Sequence, residues 1–519
     1  SAASDVYKRQ TQIINGKIFT PQGWLDEGSV LIRDNKILEV TNCDLALIGA
    51  KLIDAKGMYI VPGYVCMHAH GGGGHDFNEC TEEAFRAAIK AHQKHGATSI
   101  FPTLSSSPFS EIRKAVTVCE TLMNEKDSPV LGLHVEGPYL NPKRAGEQFA
   151  GKLKNPDKEE YTSLLESTDC IKRWDASPEL PGALEFARYL KSKGILVAVS
   201  HTESEYEGIK AAFEAGFTHT AHFYNGMPGF HKCREYKYEG TVESVYLTDG
   251  MTIELIADGI HLPATILRLA YKLKGVEKTC LVTDALAYAA ADGMEITDPN
   301  VIIEDGVCKM ADHSSLAGSI ATMDVLVRTM VKAGIPLADA VRMASETPAR
   351  IMGVDDRKGA LQKDMDADVL ILDRELNIRA AWAMGRLVED THTHERIEEY
   401  FRNNIYKVIP DNNWKQAIVP AGCIVLDNDN GTAPGLILEK YGKSAILLPG
   451  PPNELYPLFM NQVYPYLQKL QPEVIRSQMV KICGVGESQV EDKILDLIDK
   501  QQNPTIATYA KTGEVHIRV

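Results

Sequence analysis

The sequence has no run approaching the ~18 consecutive apolar residues of a membrane helix, which argues against a spanning protein. Its first ten residues, SAASDVYKRQ, lack the apolar stretch of a secretory signal and lead abruptly into a strand pattern, so residues 1–10 read as a foreign leader. Cysteine occurs ten times but never as C-x-x-C, which in a chain of 519 residues suggests the reduced thiols of a cytoplasmic protein rather than a disulfide framework. Positive charge is in deficit. With 55 Lys and Arg against 70 Asp and Glu the net charge is −15, and no basic cluster is present to meet nucleic acid. Such a chain can take an anionic small molecule only at a local cationic patch.

Against these absences stands one repeated pattern. Eight apolar runs between residues 59 and 285 each end in polar residues: YIVPGYVCMHAH, SIFPTLSS, VLGLHVEGPYL, CIKRWDASPE, ILVAVSHTES, HTAHFYNGM, TIELIADGIH and CLVTDAL. Most are separated by helical periodicity, as in TEEAFRAAIKAHQKHG. Strand then helix, eight times over, predicts an α/β fold with a (β/α)₈ TIM barrel over residues 62–351. Short alternating strands at 11–61 and 352–390 flank it and are expected to pair as a small β-sandwich. From about 394 to 519 the rhythm changes again, to an amphipathic helix and strand pieces broken by GTAPG and LPGPPNEL, which read as a separate α/β module.

In such a barrel the reacting groups gather at the C-terminal strand ends. Here those ends carry His68 and His70, Glu136, His201, His222, His261 and Asp284. His68 and His70 are two apart on a strand and share a face, as paired metal ligands require. Glu136 shares a face with His134; its alternative is a core ion pair, but the neighbouring ligand-type residues favour a metal ligand, with His134 behind it. His219 lies three before His222, so strand alternation points them apart, and His222 is the better placed. Asp284 is placed to move a proton, against the blander role of a helix N-cap. His75 is expected at the surface or in a supporting position, and Cys66 and Cys233 as packing residues. The expected cofactor is one or two divalent ions, since histidine and carboxylate suit zinc, iron, manganese and cobalt alike.

The motifs PGYVCMHAHGGGGHDF, HVEGPYLNPKRAGEQF, SHTESEY, AHFYNGMP, ADGIH, VTDAL and LAGS, in this order, resemble the N-acetylglucosamine-6-phosphate deacetylase family of the amidohydrolase superfamily over about residues 11–390. The resemblance implies core metal ligands at Glu136, His201 and His222, with an additional pair at His68 and His70. It implies acid–base catalysis at Asp284 and an acyl-carbonyl contact at Gln148. Substrate binding is implied at Asn225, Gly226 and His261, phosphate binding at Arg234, and a closing loop at Leu316, Ala317 and Gly318. It implies a homodimer acting on a sugar phosphate. Two departures stand out: Cys66 replaces the usual aspartate two before His68, and HKCREYKYEG lacks the common proline after its Arg-Glu pair.

The segment from about 394 is similar instead to the latter part of the molybdopterin-binding-like domain of the CinA proteins, so the chain reads as two coding fragments joined near 391–394. The expected reaction is metal-dependent hydrolysis of the acetamido group of N-acetylglucosamine 6-phosphate. Two alternatives stand beside it: deacetylation of another N-acetylated sugar phosphate or N-acyl-amino acid, and a nucleotide- or pterin-binding module carried by the tail.

Overall fold

The computed structural model describes residues 10–43, 50–146, 150–291, 301–313, 315–388, 416, 423–440, 443–470 and 477–519. They fall into two compact units, Ser1–Val425 with Thr432–Ile446, and Leu426–Gly431 with Leu447–Val519.

The first unit is built on eight parallel strands paired in chain order: Tyr64–Ala69, Ala97–Leu104, Leu133–Glu136, Ile171–Ala176, Leu196–Val199, Phe217–Thr220, Thr252–Leu255 and Thr279–Leu281. The sheet curls until its ends meet beyond the last ladder, where the Asp284 amide donates to the His68 carbonyl at 3.1 Å. Helices cover the outside. That at Glu82–Lys94 shows why the sequence folds this way: the Thr81 side chain caps its start, Glu82 and Glu83 occupy the positive first turn, and Phe85, Ala88 and Ile89 form its buried face. The fourth strand alternates in the same spirit. Trp174 points outward against Phe186 and Tyr139, while Arg173 and Asp175 point into the barrel, where Arg173 reaches Glu254 of the seventh strand.

The first apolar run is not one strand but two. It breaks at Gly63, where a Cβ would come within 2.1 Å of Thr98 Oγ1, so only glycine lets the chain pass. Tyr59–Pro62 before the break joins a six-stranded sheet with Lys17–Thr20, Gly23–Leu25, Val369–Leu372, Ile378–Ala383 and Arg386–Leu387. A four-stranded sheet of Gln10–Ile14, Ser29–Arg33, Lys36–Thr41 and Lys51–Asp54 completes the flanking structure, so the first strand starts inside the supposed leader. Ile13, Ile18, Val30, Ile32, Ile60, Val369 and Trp382 form its shared core. Beside that core Lys358 is buried with two carboxylates, 3.1 Å from Asp366 and 2.8 Å from Asp368.

The second unit is smaller. Strands Met479–Cys483, Ala507–Lys511 and Glu514–Arg518 form an antiparallel sheet with Glu514–Arg518 in the middle, and helix Glu487–Asp499 contributes Val490 to a core with Val515 and Ile517. Tyr456, Met460, Met479 and Leu497 remain exposed.

Candidate active site

Six of the expected residues converge at the C-terminal ends of the barrel strands. Glu136, the last residue of the third strand, sits at their centre. Its Oε1 lies 2.9 Å from His222 Nε2 and 3.2 Å from His201 Nε2; its Oε2 lies 3.2 Å from His70 Nε2 and 3.8 Å from His68 Nε2. Asp284 closes the other side, 3.3 Å from His68 Nε2 and 3.2 Å from His70 Nε2. A register shift in the first strand, between Cys66 opposite Ile100 and Ala69 opposite Pro102, inserts an extra residue just where the two histidines turn toward the mouth. His201, His222 and Asp284 lie beyond their strands, with φ of 44°, 26° and 47°.

The remaining ring nitrogens are anchored. His201 Nδ1 donates to the Arg144 carbonyl at 2.6 Å, and His222 Nδ1 to the Asn225 carbonyl at 3.1 Å. His70 Nδ1 lies 3.0 Å from Ser105 Oγ, and His68 Nδ1 3.1 Å from Glu254 Oε2. Each imidazole thus has its Nδ1 occupied and its Nε2 turned inward, the arrangement that a set of metal ligands needs.

Electrostatics point the same way. Burial opposes charge on His68, but Asp284, Glu254 and Glu136 outweigh it and raise its pKa to about 10; His70 is raised too. Burial likewise opposes ionisation of Glu136 and Asp284, yet the surrounding histidines hold both carboxyls well below the usual range. Ligand atoms of His68, His70 and Glu136 lie within 4.8 Å of one another, as do those of Glu136, His201 and His222, so two triads sharing one carboxylate fit one or two divalent ions.

The other expected residues are distributed around this cluster. Asn225 follows His222, and its side-chain Nδ2 is buried without a partner. Gly226 has φ 64°, and a Cβ there would press on His201 Nδ1 at 3.0 Å. His261 is fixed by Asp258, Nδ1 to Oδ2 at 2.7 Å. Leu316 bridges to Lys309, and Gly318 lies against the Asp284 backbone and Leu286. Arg234 is exposed at the turn of a hairpin, His231–Cys233 with Tyr236–Tyr238. Gln148 lies outside the described residues. His75 stays out of the cluster, beside Glu79 at 3.3 Å. Cys66 is buried with its thiol pKa pushed up by burial, which suits packing and not nucleophilic attack.

One inference from spacing needs correction. His219 and His222 do not point apart, because the sixth strand ends at Thr220 and alternation no longer governs His222. His219 faces the barrel interior as well, with Nδ1 2.6 Å from Thr252 Oγ1 and Nε2 3.3 Å from Glu254. Sequence reading also missed the charged residues below the site. Arg173 holds Asp175 through two hydrogen bonds of 2.8 and 2.7 Å and also binds Glu254; His134 lies 3.0 Å from Asp175. Their signal was available: Arg173 and Asp175 two apart in IKRWDA, and a lone charged residue, Glu254, in TIEL.

A closed parallel barrel with a histidine–carboxylate cluster that could hold a metal ion at its mouth is an amidohydrolase architecture, and the family comparison agrees. Residues 59–421 match the Amidohydrolase family, and the chain belongs to it. It is 30% identical to the N-acetylglucosamine-6-phosphate deacetylase of Haemophilus influenzae, over 73% of this chain and 99% of that protein. It is also 30% identical to an N-acetylgalactosamine-6-phosphate deacetylase of Escherichia coli O157:H7, over 72% and 97%. Among solved structures, N-acetylglucosamine-6-phosphate deacetylase from Pasteurella multocida superposes with a TM-score of 0.69 at 28% identity, over 73% of this chain and 99% of that one. Residues 477–519 match the KH domain of the damage-inducible protein CinA, so the likeness of the tail to CinA is found in that domain.

Proposed function

We propose that this chain hydrolyses the acetamido group of N-acetylglucosamine 6-phosphate to glucosamine 6-phosphate and acetate. The observation that carries the reading is the convergence of His68, His70, Glu136, His201, His222 and Asp284 on one point at the barrel mouth. The relatives of that activity, which the chain matches over nearly their whole length, support the substrate class.

In this reading Glu136, His201 and His222 hold the core ion, while His68, His70 and Asp284 provide for a second; zinc, iron, manganese and cobalt all suit the donors. A bound ion supplies Lewis-acid polarisation of the acetyl carbonyl and a lowered pKa for water. Asp284, kept ionised by the histidines around it, takes the proton of the attacking water and returns it to the departing amine. Gln148 contacts the acetyl oxygen. Asn225 offers its unpartnered amide to the substrate beside Gly226, and His261, braced by Asp258, binds the sugar phosphate. Arg234 and the neighbouring Lys232 supply the cationic patch an acidic protein needs. Leu316, Ala317 and Gly318 close over the sugar. All ten cysteines are free thiols, which fits a cytoplasmic enzyme, and the reading includes a homodimer.

The test joins metal analysis of the purified protein to deacetylation assays on N-acetylglucosamine 6-phosphate, its galacto epimer and the unphosphorylated sugar. Bound divalent metal with a preference for the phosphorylated gluco substrate is expected. Metal-free protein that stays inert after metal is supplied would sink the proposal, and preference for the galacto substrate would reassign the epimer.

A further inference from the structure

We infer that Glu254, clamped by Arg173, is a positioning residue that aims two metal ligands at once; the inference rests on the metal-site reading above. Glu254 is fully buried on the seventh strand and its carboxylate is shared among four groups. Oε2 lies 3.1 Å from His68 Nδ1 and accepts the backbone N–H of His222 at 3.0 Å. Oε1 accepts from the Arg173 guanidinium and lies 3.3 Å from His219 Nε2.

Two consequences follow from this geometry. An imidazole that donates Nδ1–H to a carboxylate has only Nε2 left to offer a cation, and its ring rotation is fixed. Glu254 imposes this on His68. The same oxygen holds the amide of His222, whose φ of 26° is a conformation that an L residue keeps only under outside constraint. One carboxylate therefore registers a ligand of the first strand against a ligand beyond the sixth.

Arg173 explains why Glu254 does not itself swing up as a ligand. It is buried and held in place by Asp175, so a Glu254 that swung away would leave the guanidinium Nη1 without its carboxylate inside the barrel. A buried ion pair with only a structural role can often be replaced by apolar groups at little cost. The contacts to His68 and His222 are what such a replacement would lose, and they separate the two explanations.

The full chain is stripped of metal and titrated with cobalt(II) in competition with a chelator, following the visible spectrum of bound cobalt. Glu254→Gln should weaken binding by about 10- to 100-fold, as loss of a partner that orients a ligand does, and alter the cobalt spectrum. At subsaturating metal its kcat should fall while KM for the sugar phosphate stays near the parent value. Because that variant leaves Arg173 without its carboxylate, the paired change Arg173→Met with Glu254→Leu is measured beside it. It removes both charges of that pair; Asp175 then loses its guanidinium and the melting temperature should fall, but the folded protein should bind cobalt as weakly as Glu254→Gln. Either folded variant binding cobalt with parental affinity and spectrum overturns the inference. A parent chain that binds no cobalt instead overturns the metal-site reading on which it rests.

Discussion

Two regions of the first unit bury charge, and they do so to opposite ends. In the flanking sheets Lys358 is enclosed by Asp366 and Asp368, while Lys36 at 2.8 Å and Arg357 at 3.3 Å add further cations to Asp366. Every charge there is met by protein, so nothing is left for a ligand. At the barrel mouth the carboxylates of Glu136 and Asp284 face ring nitrogens whose outer atoms are already committed. Protein satisfies the periphery, and the centre gathers donor atoms that could hold a cation. Burial of charge is thus no sign of function by itself; what distinguishes a site is donor atoms turned toward one point.

The comparison breaks most visibly at Asp284. Asp284→Asn keeps shape and a carbonyl oxygen but removes the proton acceptor, so kcat should fall by at least about 10²- to 10⁴-fold with metal still bound. Near-normal turnover in a metal-loaded variant would deny it that role. Lys358→Met tests the other cluster, and should cost about 3–5 kcal/mol of stability by taking the cation from Asp368 and leaving Asp366 to Lys36 and Arg357, with turnover per folded molecule unchanged. It should also change the acid response. Burial opposes ionisation of Asp366, but Lys358 and Lys36 lower its pKa, so its contribution is present above the unfolded value of 3.8 and lost as pH falls through the lower folded one. Without Lys358 that loss should begin at higher pH, which acid unfolding followed by circular dichroism will read. An unchanged acid midpoint would mean that Lys36 and Arg357 suffice.

Arg234→Ala should be milder, since a charge-assisted bond to phosphate contributes roughly 1.5–3 kcal/mol. The loss of kcat/KM should fall on the phosphorylated substrate, and an equal loss on the unphosphorylated sugar would move the phosphate site toward His261 and Lys232. The smallest effect is expected from the tail. Every residue placed at the site lies between His68 and Gly318, and the groups able to hold a metal come entirely from the barrel among the described residues. A chain ending at Asp390 should deacetylate as well as the full length and stay more soluble without the exposed Tyr456, Met460 and Leu497. Loss of activity on truncation would make the tail part of the enzyme.

Much of this was legible in the chain because apolar strand runs and their polar ends are local signals. That His68, His70, Glu136 and Asp284 gather at the C-terminal strand ends was readable from period and position, while their roles came from the resemblance. The charged layer below was not, for Arg173, Asp175 and Glu254 come from strands 81 residues apart in sequence at the Arg173–Glu254 pair, and only barrel closure brings them together. His222 was assigned to the site while its relation to His219 was misjudged, since alternation holds only while the chain is a strand. The tail read as CinA-like from the stretch at 416–459, whereas the matched KH segment lies further on, at 477–519.

The left-handed backbones of His201, His222 and Asp284 bear on how this protein would respond to engineering. Each such residue sacrifices on the order of 1 kcal/mol that glycine, or in part asparagine, would recover. Glycine at any of the three would recover that strain only by removing a buried partner of Glu136 or of His68 and His70, so relief of backbone strain and loss of the cluster come together. Strain at these three positions is the cost of aiming the side chains inward, and design of this fold has to hold them fixed.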